Sequence, residues 1–108
     1  MTVLTANGTA VGPLDRLRVP GKFTIFTFYT NSCTRCRQVE VVLREIMERR
    51  RDIAVRRLNV VDLKSPIARE QGLKSKPLPY VVVIAPDGKR TDFVNAGPWK
   101  VAAALRRQ

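Results

Sequence analysis

The segment KFTIFTFYT, Lys22 to Thr30, constrains the fold more than any other part of the chain. Its β-branched and aromatic residues favour extended backbone. It alternates too little for a strand with one face in water, so it predicts a strand buried on both faces. Such a strand needs cover, and the residues after it supply some. Val39, Val42, Leu43, Ile46 and Met47 recur at the i, i+3, i+4 spacing of an amphipathic helix. Asn31 and Ser32 are its candidate N-caps. Arg37, Glu40, Arg44, Glu45 and Glu48 form the expected polar face, with Glu40 and Arg44 paired one turn apart. Arg49, Arg50 and Arg51 close the helix, where the macrodipole favours cations.

The remaining elements follow from turn chemistry and periodicity. Residues 2–12 carry Asn7-Gly8 between β-prone stretches and predict a hairpin. Ile53 to Val61 reads as a strand, and Ser65-Pro66 opens a short helix that Gly72 ends. Tyr80 to Ala85 is a third strand; Pro86-Asp87-Gly88 turns the chain into a fourth, Arg90 to Val94. Pro98 to Arg107 is a terminal helix with Trp99, Ala102, Ala103 and Leu105 as apolar surface. The order is hairpin, β, α, β, α, β, β, α. It predicts an α/β fold whose mixed sheet is parallel where helices join the strands and antiparallel in the last hairpin, with helices on both faces. A length of 108 residues suits one domain spanning the chain.

Composition removes several classes of function. The chain has two cysteines and no histidine. One chain therefore cannot complete a four-ligand zinc site, and no Ser–His or Cys–His nucleophile exists. No metal and no cofactor is expected; a metal shared by the cysteines of two chains is the one arrangement left open. Twenty Lys and Arg against nine Asp and Glu give a net charge of +11, which favours encounter with acidic partners. No recognition helix or aromatic stacking platform accompanies that charge, so specific nucleic-acid binding is not expected. No apolar run approaches the ~20 residues that span a bilayer, so no membrane segment is expected. Met1 to Gly12 lacks a signal-peptide pattern, and a cytoplasmic address is expected; a chain trimmed of its leader would be periplasmic. A monomer is expected.

Cys33-Thr34-Arg35-Cys36 stands where the buried strand passes into the amphipathic helix. A C-x-x-C in that context suggests a redox dithiol. The helix start presents free N–H groups and a positive dipole end, so a thiolate at Cys33 is stabilised and becomes the nucleophile. Cys36, one turn on, is placed to resolve a mixed disulfide. As a structural staple the pair would close too small a loop to remove much chain entropy. Thr34 and Arg35 form the rim of this candidate site. Arg35, fixed between the two cysteines, favours the thiolate, and a more stable thiolate makes the disulfide more oxidising.

Four stretches together resemble the thioredoxin superfamily. FTFYTNSCTRCRQV is similar to its active-site strand, loop and helix, and RRLNVVDLKSPIAREQGL to its strand, aspartate and short-helix connection. GLKSKPLPYVVVIAPDGK resembles the segment that carries a cis-proline ahead of an antiparallel hairpin. TANGTAVGPLDRLRVPGKFTIF is similar to the entry segment of the bacterial TlpA-like branch. The resemblance implies a thioredoxin fold, with Pro79 rather than Pro77 as the cis-proline, packed against the sulfurs. It implies that the backbone of Leu78 pairs with an extended substrate segment. It also implies that Arg37, Lys74 and Lys76 rim the site with Arg35 and favour the thiolate, which predicts a reduction potential above thioredoxin's value of about −270 mV. Three positions depart from the pattern: Thr34-Arg35 replaces Gly-Pro, Ser32 replaces a tryptophan, and Thr27 replaces a buried aspartate. Arg57 stands where that aspartate has a lysine neighbour and is the candidate that remains of a proton relay.

Two functions compete on these residues. One is thiol–disulfide exchange with acidic protein substrates carrying disulfides or thiols, with Cys33 attacking, Cys36 resolving and a separate reductase or oxidase recycling the pair. The other is a non-catalytic thioredoxin-like binding module for an acidic partner or polyanion.

Overall fold

The computed structural model describes residues 1–106. Five strands form one sheet: β1 (Thr2–Thr5), β2 (Phe23–Tyr29), β3 (Ile53–Asn59), β4 (Tyr80–Ile84) and β5 (Arg90–Phe93). Their order across the sheet is β1-β3-β2-β4-β5. β3 runs parallel to both β1 and β2, whereas β4 is antiparallel to β2 and β5. The KFTIFTFYT segment is thus the central strand, and Thr24 to Phe28 are buried, as its β-branched and aromatic run without polar alternation predicts.

Helices α1 (Thr34–Arg49), α2 (Pro66–Glu70) and α3 (Pro98–Ala104) cover the two faces. Ile25, Val55, Val81 and Val83 meet Val39 and Leu43 of α1 and Val101 and Leu105 at the C-terminal helix. On the other face, Phe26, Phe28, Val82 and Ile84 pack with Leu14, Ile67 and Leu73. The alternation of Ile25 and Phe26 between two cores is the period-two rule of a strand at work. Ser65 caps α2, its Oγ accepting from the Ala68 N–H, and Pro66 fills the first position, where no N–H is needed. No described helix is long and apolar enough to cross a membrane.

The N-terminal hairpin does not form. β1 is an edge strand paired with β3, and the chain turns away after it. Thr5 Oγ1 accepts from the Thr9 N–H at 3.0 Å, closing the turn through a side chain rather than a strand ladder. Gly8 takes a φ of 79°. Its carbonyl accepts from the Ile67 N–H at 2.9 Å, and the Glu70 carboxylate then accepts from the N–H groups of Val11 and Gly12. Residues 8–12 dock on α2, which satisfies backbone groups that a hairpin partner would have taken.

Two other expectations change. Trp99 is 86% exposed; Val101 and Leu105, one turn apart, are the residues that seat the terminal helix. That helix ends at Ala104, and Arg107 lies outside the described residues. Glu40, expected on the polar face of α1 with Arg44, is only 9% exposed and turns toward the sheet.

Candidate active site

β2 delivers the chain to the C-terminal edge of the sheet, and three loop residues later the two cysteines begin α1. Cys33, rather than Asn31 or Ser32, is the N-cap: its backbone is extended and its Sγ accepts from the Cys36 N–H at 3.2 Å. The sulfur therefore occupies the position that a capping oxygen ordinarily fills, facing the unpaired N–H groups of the first turn. That arrangement stabilises negative charge on Cys33 Sγ when the pair is reduced.

The two cysteines form a disulfide, with S–S 2.16 Å and Cα–Cα 5.3 Å. Their exposure differs. Cys33 is half-buried and Cys36 is 1% exposed. An attacking sulfur from outside reaches Cys33 first. Cys36 Sγ faces inward, 3.8 Å from the Phe28 carbonyl oxygen, which becomes an acceptor for its S–H on reduction.

The Leu78–Pro79 peptide bond is cis. The loop after β5 is pinned to this proline segment: the Asn95 N–H donates to the Pro77 carbonyl at 3.0 Å and the Ala96 N–H to the Pro79 carbonyl at 2.8 Å. Directly after the proline, the Tyr80 ring lies 5.1 Å from that of Phe28. Its hydroxyl donates to Asp92 and meets the Arg90 guanidinium. Burial, then the hydrogen bond to Asp92, pushes the Tyr80 phenol up to about 12. Arg90, through its hydrogen bonds, holds the Asp92 carboxyl below the usual range against the opposing effect of burial. This polar cluster, half-exposed at Arg90 and Asp92, fixes the strand that begins at the proline to its neighbour β5.

Beneath Cys36 lies a cleft of about 340 Å³ lined by Tyr29, Asn31, Cys36, Arg37, Glu40 and Arg57. Arg57 Nε sits 3.0 Å from Glu40 Oε1, and the guanidinium stacks 4.4 Å from the Tyr29 ring centroid. The pair is close but not aligned as a hydrogen bond. Thr27 pairs in register with Arg57 across the parallel ladder, and its Oγ1 is buried with no hydrogen-bond partner among the described residues. The carboxylate missing at Thr27 therefore has a counterpart on the facing helix, one turn beyond Cys36. The spacing from Cys36 to Glu40 carried that signal in the sequence. The helical pattern obscured it, because Glu40 sits at the border of the apolar stripe.

The rim residues separate into distinct environments. Thr34 and Arg35 are exposed in the first turn of α1, and Arg35 Nη1 donates to Asn95 Oδ1 at 2.6 Å. Arg37 Nη2 donates to the Asn31 carbonyl at 2.6 Å. Lys74 and Lys76 line a groove of about 410 Å³ with Leu78, Leu63 and Thr30. The Lys76 ammonium lies 4.9 Å from the Tyr80 ring and donates to the Gln71 carbonyl, so it serves the Tyr80 cluster rather than the dithiol. Asn95 was invisible in the sequence; only the folded chain brings it from the loop after β5 to the cysteine loop.

No protein-family model matches the sequence, and no curated protein matches it. Solved structures do. Mitochondrial thioredoxin 3 of Saccharomyces cerevisiae, in its oxidised form, aligns over 97% of this chain and 92% of its own, with a TM-score of 0.70 at 20% identity. Trichomonas vaginalis thioredoxin aligns over 96% of this chain and 93% of its own, with a TM-score of 0.68 at 18% identity. A thioredoxin of Malassezia sympodialis covers 95% of this chain and 88% of its own, with a TM-score of 0.66 at 20% identity. With a disulfide-bonded C-x-x-C at the head of α1 and a mixed sheet matching these structures nearly end to end, the chain has the thioredoxin fold.

Proposed function

We propose that this protein is a thiol–disulfide oxidoreductase acting on protein substrates. The observation that carries the reading is the asymmetry of the pair: one sulfur reachable and capping a helix, the other buried behind it. In the reducing direction, the Cys33 thiolate attacks a substrate disulfide. One substrate sulfur leaves and takes up a proton, and a Cys33–substrate disulfide forms. Cys36 then loses its proton and attacks Cys33 Sγ. The second substrate sulfur leaves and is protonated, and the Cys33–Cys36 disulfide closes. Two electrons pass from the protein to the substrate. The oxidising direction is the same path reversed.

Cys36 must surrender a proton in this sequence, and Glu40 is the carboxylate that shares its cleft. In this reading Glu40 accepts that proton, directly or through water, and Arg57 holds the carboxylate in place. The backbone of Leu78, next to the cis bond, offers an extended substrate segment its edge. The net charge of +11 favours acidic substrates, and Arg35 beside the dithiol supports a potential above about −270 mV.

Insulin reduction with a small dithiol as electron donor tests the proposal. The intact protein is expected to accelerate precipitation of the insulin B chain, and Cys33→Ser to abolish that acceleration. Cys36→Ser is expected to accumulate a mixed disulfide through Cys33. No acceleration by the intact protein, together with salt-sensitive polyanion binding that survives loss of both cysteines, would establish the binding-module function instead.

A further inference from the structure

Arg35 lies between the cysteines and reaches out of its own loop. Its guanidinium donates to the side-chain oxygen of Asn95 at 2.6 Å. Asn95 belongs to the segment after β5, which two backbone hydrogen bonds tie to Pro77 and Pro79. The Arg35–Asn95 bond therefore joins the cysteine turn to the proline segment. The Asn95 backbone has a φ of 52°, in the left-handed region that glycine adopts without penalty. Asparagine there supplies a side-chain oxygen that glycine lacks, and Arg35 uses it.

The bond joins a full positive charge to a neutral amide oxygen, and both side chains are exposed. Among the described residues no carboxylate pairs with Arg35: Glu40 is taken by Arg57, and Asp92 by Arg90 and Tyr80. Arg37 is bound within the cysteine loop, to the Asn31 carbonyl, and Lys76 is turned to Tyr80. A carboxylate presented from outside offers Arg35 charge and two oxygens matched to the guanidinium fork, a stronger partner than an amide.

We propose that Arg35 selects protein substrates bearing an acidic side chain beside the reacting cysteine, and that binding such a substrate draws Arg35 away from Asn95. The proposal rests on the disulfide-exchange function above. Its distinct content is a local specificity contact, separate from the long-range attraction of a basic protein.

The test uses two disulfide peptides that differ only in Glu or Gln next to the cysteine, and a cysteine-free version of each. Exchange rates are measured with the reduced protein, and binding of the cysteine-free peptides to the oxidised protein by chemical-shift titration. The intact protein is expected to favour the Glu peptide by about tenfold in kcat/KM and in affinity, the scale of one charge-assisted bidentate contact. Arg35→Ala is expected to bring the ratio near one. Arg44→Ala removes the same charge from the exposed side of α1 and is expected to leave the ratio intact. Asn95→Gly is expected to keep the preference and to strengthen binding of the Glu peptide alone, because that peptide no longer competes with the amide for Arg35.

Equal rates and affinities for the two peptides in the intact protein would overturn the proposal while leaving disulfide exchange standing. So would a preference that survives Arg35→Ala, or one that Arg44→Ala reduces equally. If neither disulfide peptide reacts, the exchange function fails; a binding preference lost in Arg35→Ala would still uphold the Arg35 contact, and its absence would refute it.

Discussion

Arg57 Nε lies 3.0 Å from Glu40 Oε1, in the cleft that Cys36 lines, and Arg57 is in register with Thr27, whose hydroxyl has no hydrogen-bond partner among the described residues. A strand residue and a helix residue thus share a charge pair under the buried cysteine. Glu40→Gln keeps the shape and removes the proton acceptor. The step in which Cys36 displaces substrate from Cys33 is expected to slow by about 10- to 100-fold, a modest share of what positioned acid–base groups contribute. Alkylation of Cys33 is expected to keep its rate. Rapid-mixing measurement of mixed-disulfide decay checks this; an unchanged decay rate would remove Glu40 from the mechanism.

Thr27 is buried in the central strand with its hydroxyl unpartnered among the described residues. Thr27→Val replaces that hydroxyl with a methyl of the same shape and keeps a β-branched residue in the strand. A buried polar group without a partner is costly, so the variant is expected to gain about 1 kcal/mol of stability. Urea unfolding is expected to show a higher midpoint at an unchanged slope. A lower midpoint would mean that the hydroxyl has a partner, such as ordered water in the Cys36 cleft.

The phenol of Tyr80 holds its proton to about 12 in the folded chain, against 10.0 ordinarily, because it is buried and bonded to Asp92. A group whose folded value is raised contributes stability that is complete below the unfolded value and is lost above it. The Tyr80 contribution is therefore full below pH 10 and declines between pH 10 and 12. Tyr80→Phe is expected to be less stable at pH 7 by about 1 kcal/mol. The gap between the variant and the intact protein is expected to narrow as pH rises through that window. Thermal unfolding at pH 7, 9, 10 and 11 measures it; a gap independent of pH would contradict the hydrogen-bond assignment.

Gly8 and Gly12 both have positive φ, 79° and 86°, yet their surroundings differ. A Cβ at Gly8 would stand 2.9 Å from Ser65 Cβ and 3.1 Å from the Val60 carbonyl oxygen, whereas nothing lies within 4 Å of one at Gly12. Gly12→Ala is expected to cost only the conformational penalty of a left-handed residue, about 1–2 kcal/mol. Gly8→Ala is expected to cost more, because the docked segment must also move off α2. Equal losses in a denaturant titration would show that residues 8–12 contribute little to the fold.

Much of the architecture was legible in the chain itself. The central strand follows from an apolar run with no polar alternation, α1 from its apolar period, and α2 from a serine cap with proline at the first position. The β4–β5 hairpin follows from Pro86-Asp87-Gly88. These are local signals, set by backbone sterics and by which side chains must leave water. The placement of the two cysteines at a strand–helix junction belongs with them, because it needs only the order of residues.

Other features depended on partners distant in sequence. Asn7-Gly8 is a legitimate hairpin signal, but docking sites on α2 and an open edge of β3 offered residues 2–12 better backbone partners. Glu40 stands at the border of a helical stripe, and Arg57 on β3 drew it inward. Trp99 looked like core by its chemistry, yet the face of α3 that meets the sheet carries Val101 and Leu105. Asn95 acquired its place over the cysteine loop only when β5 brought it beside the proline segment. Local sequence therefore determined the elements and the sulfur pair. Tertiary packing decided which charges meet beneath the pair and which side chains close over it, because those contacts join residues that no local rule places together.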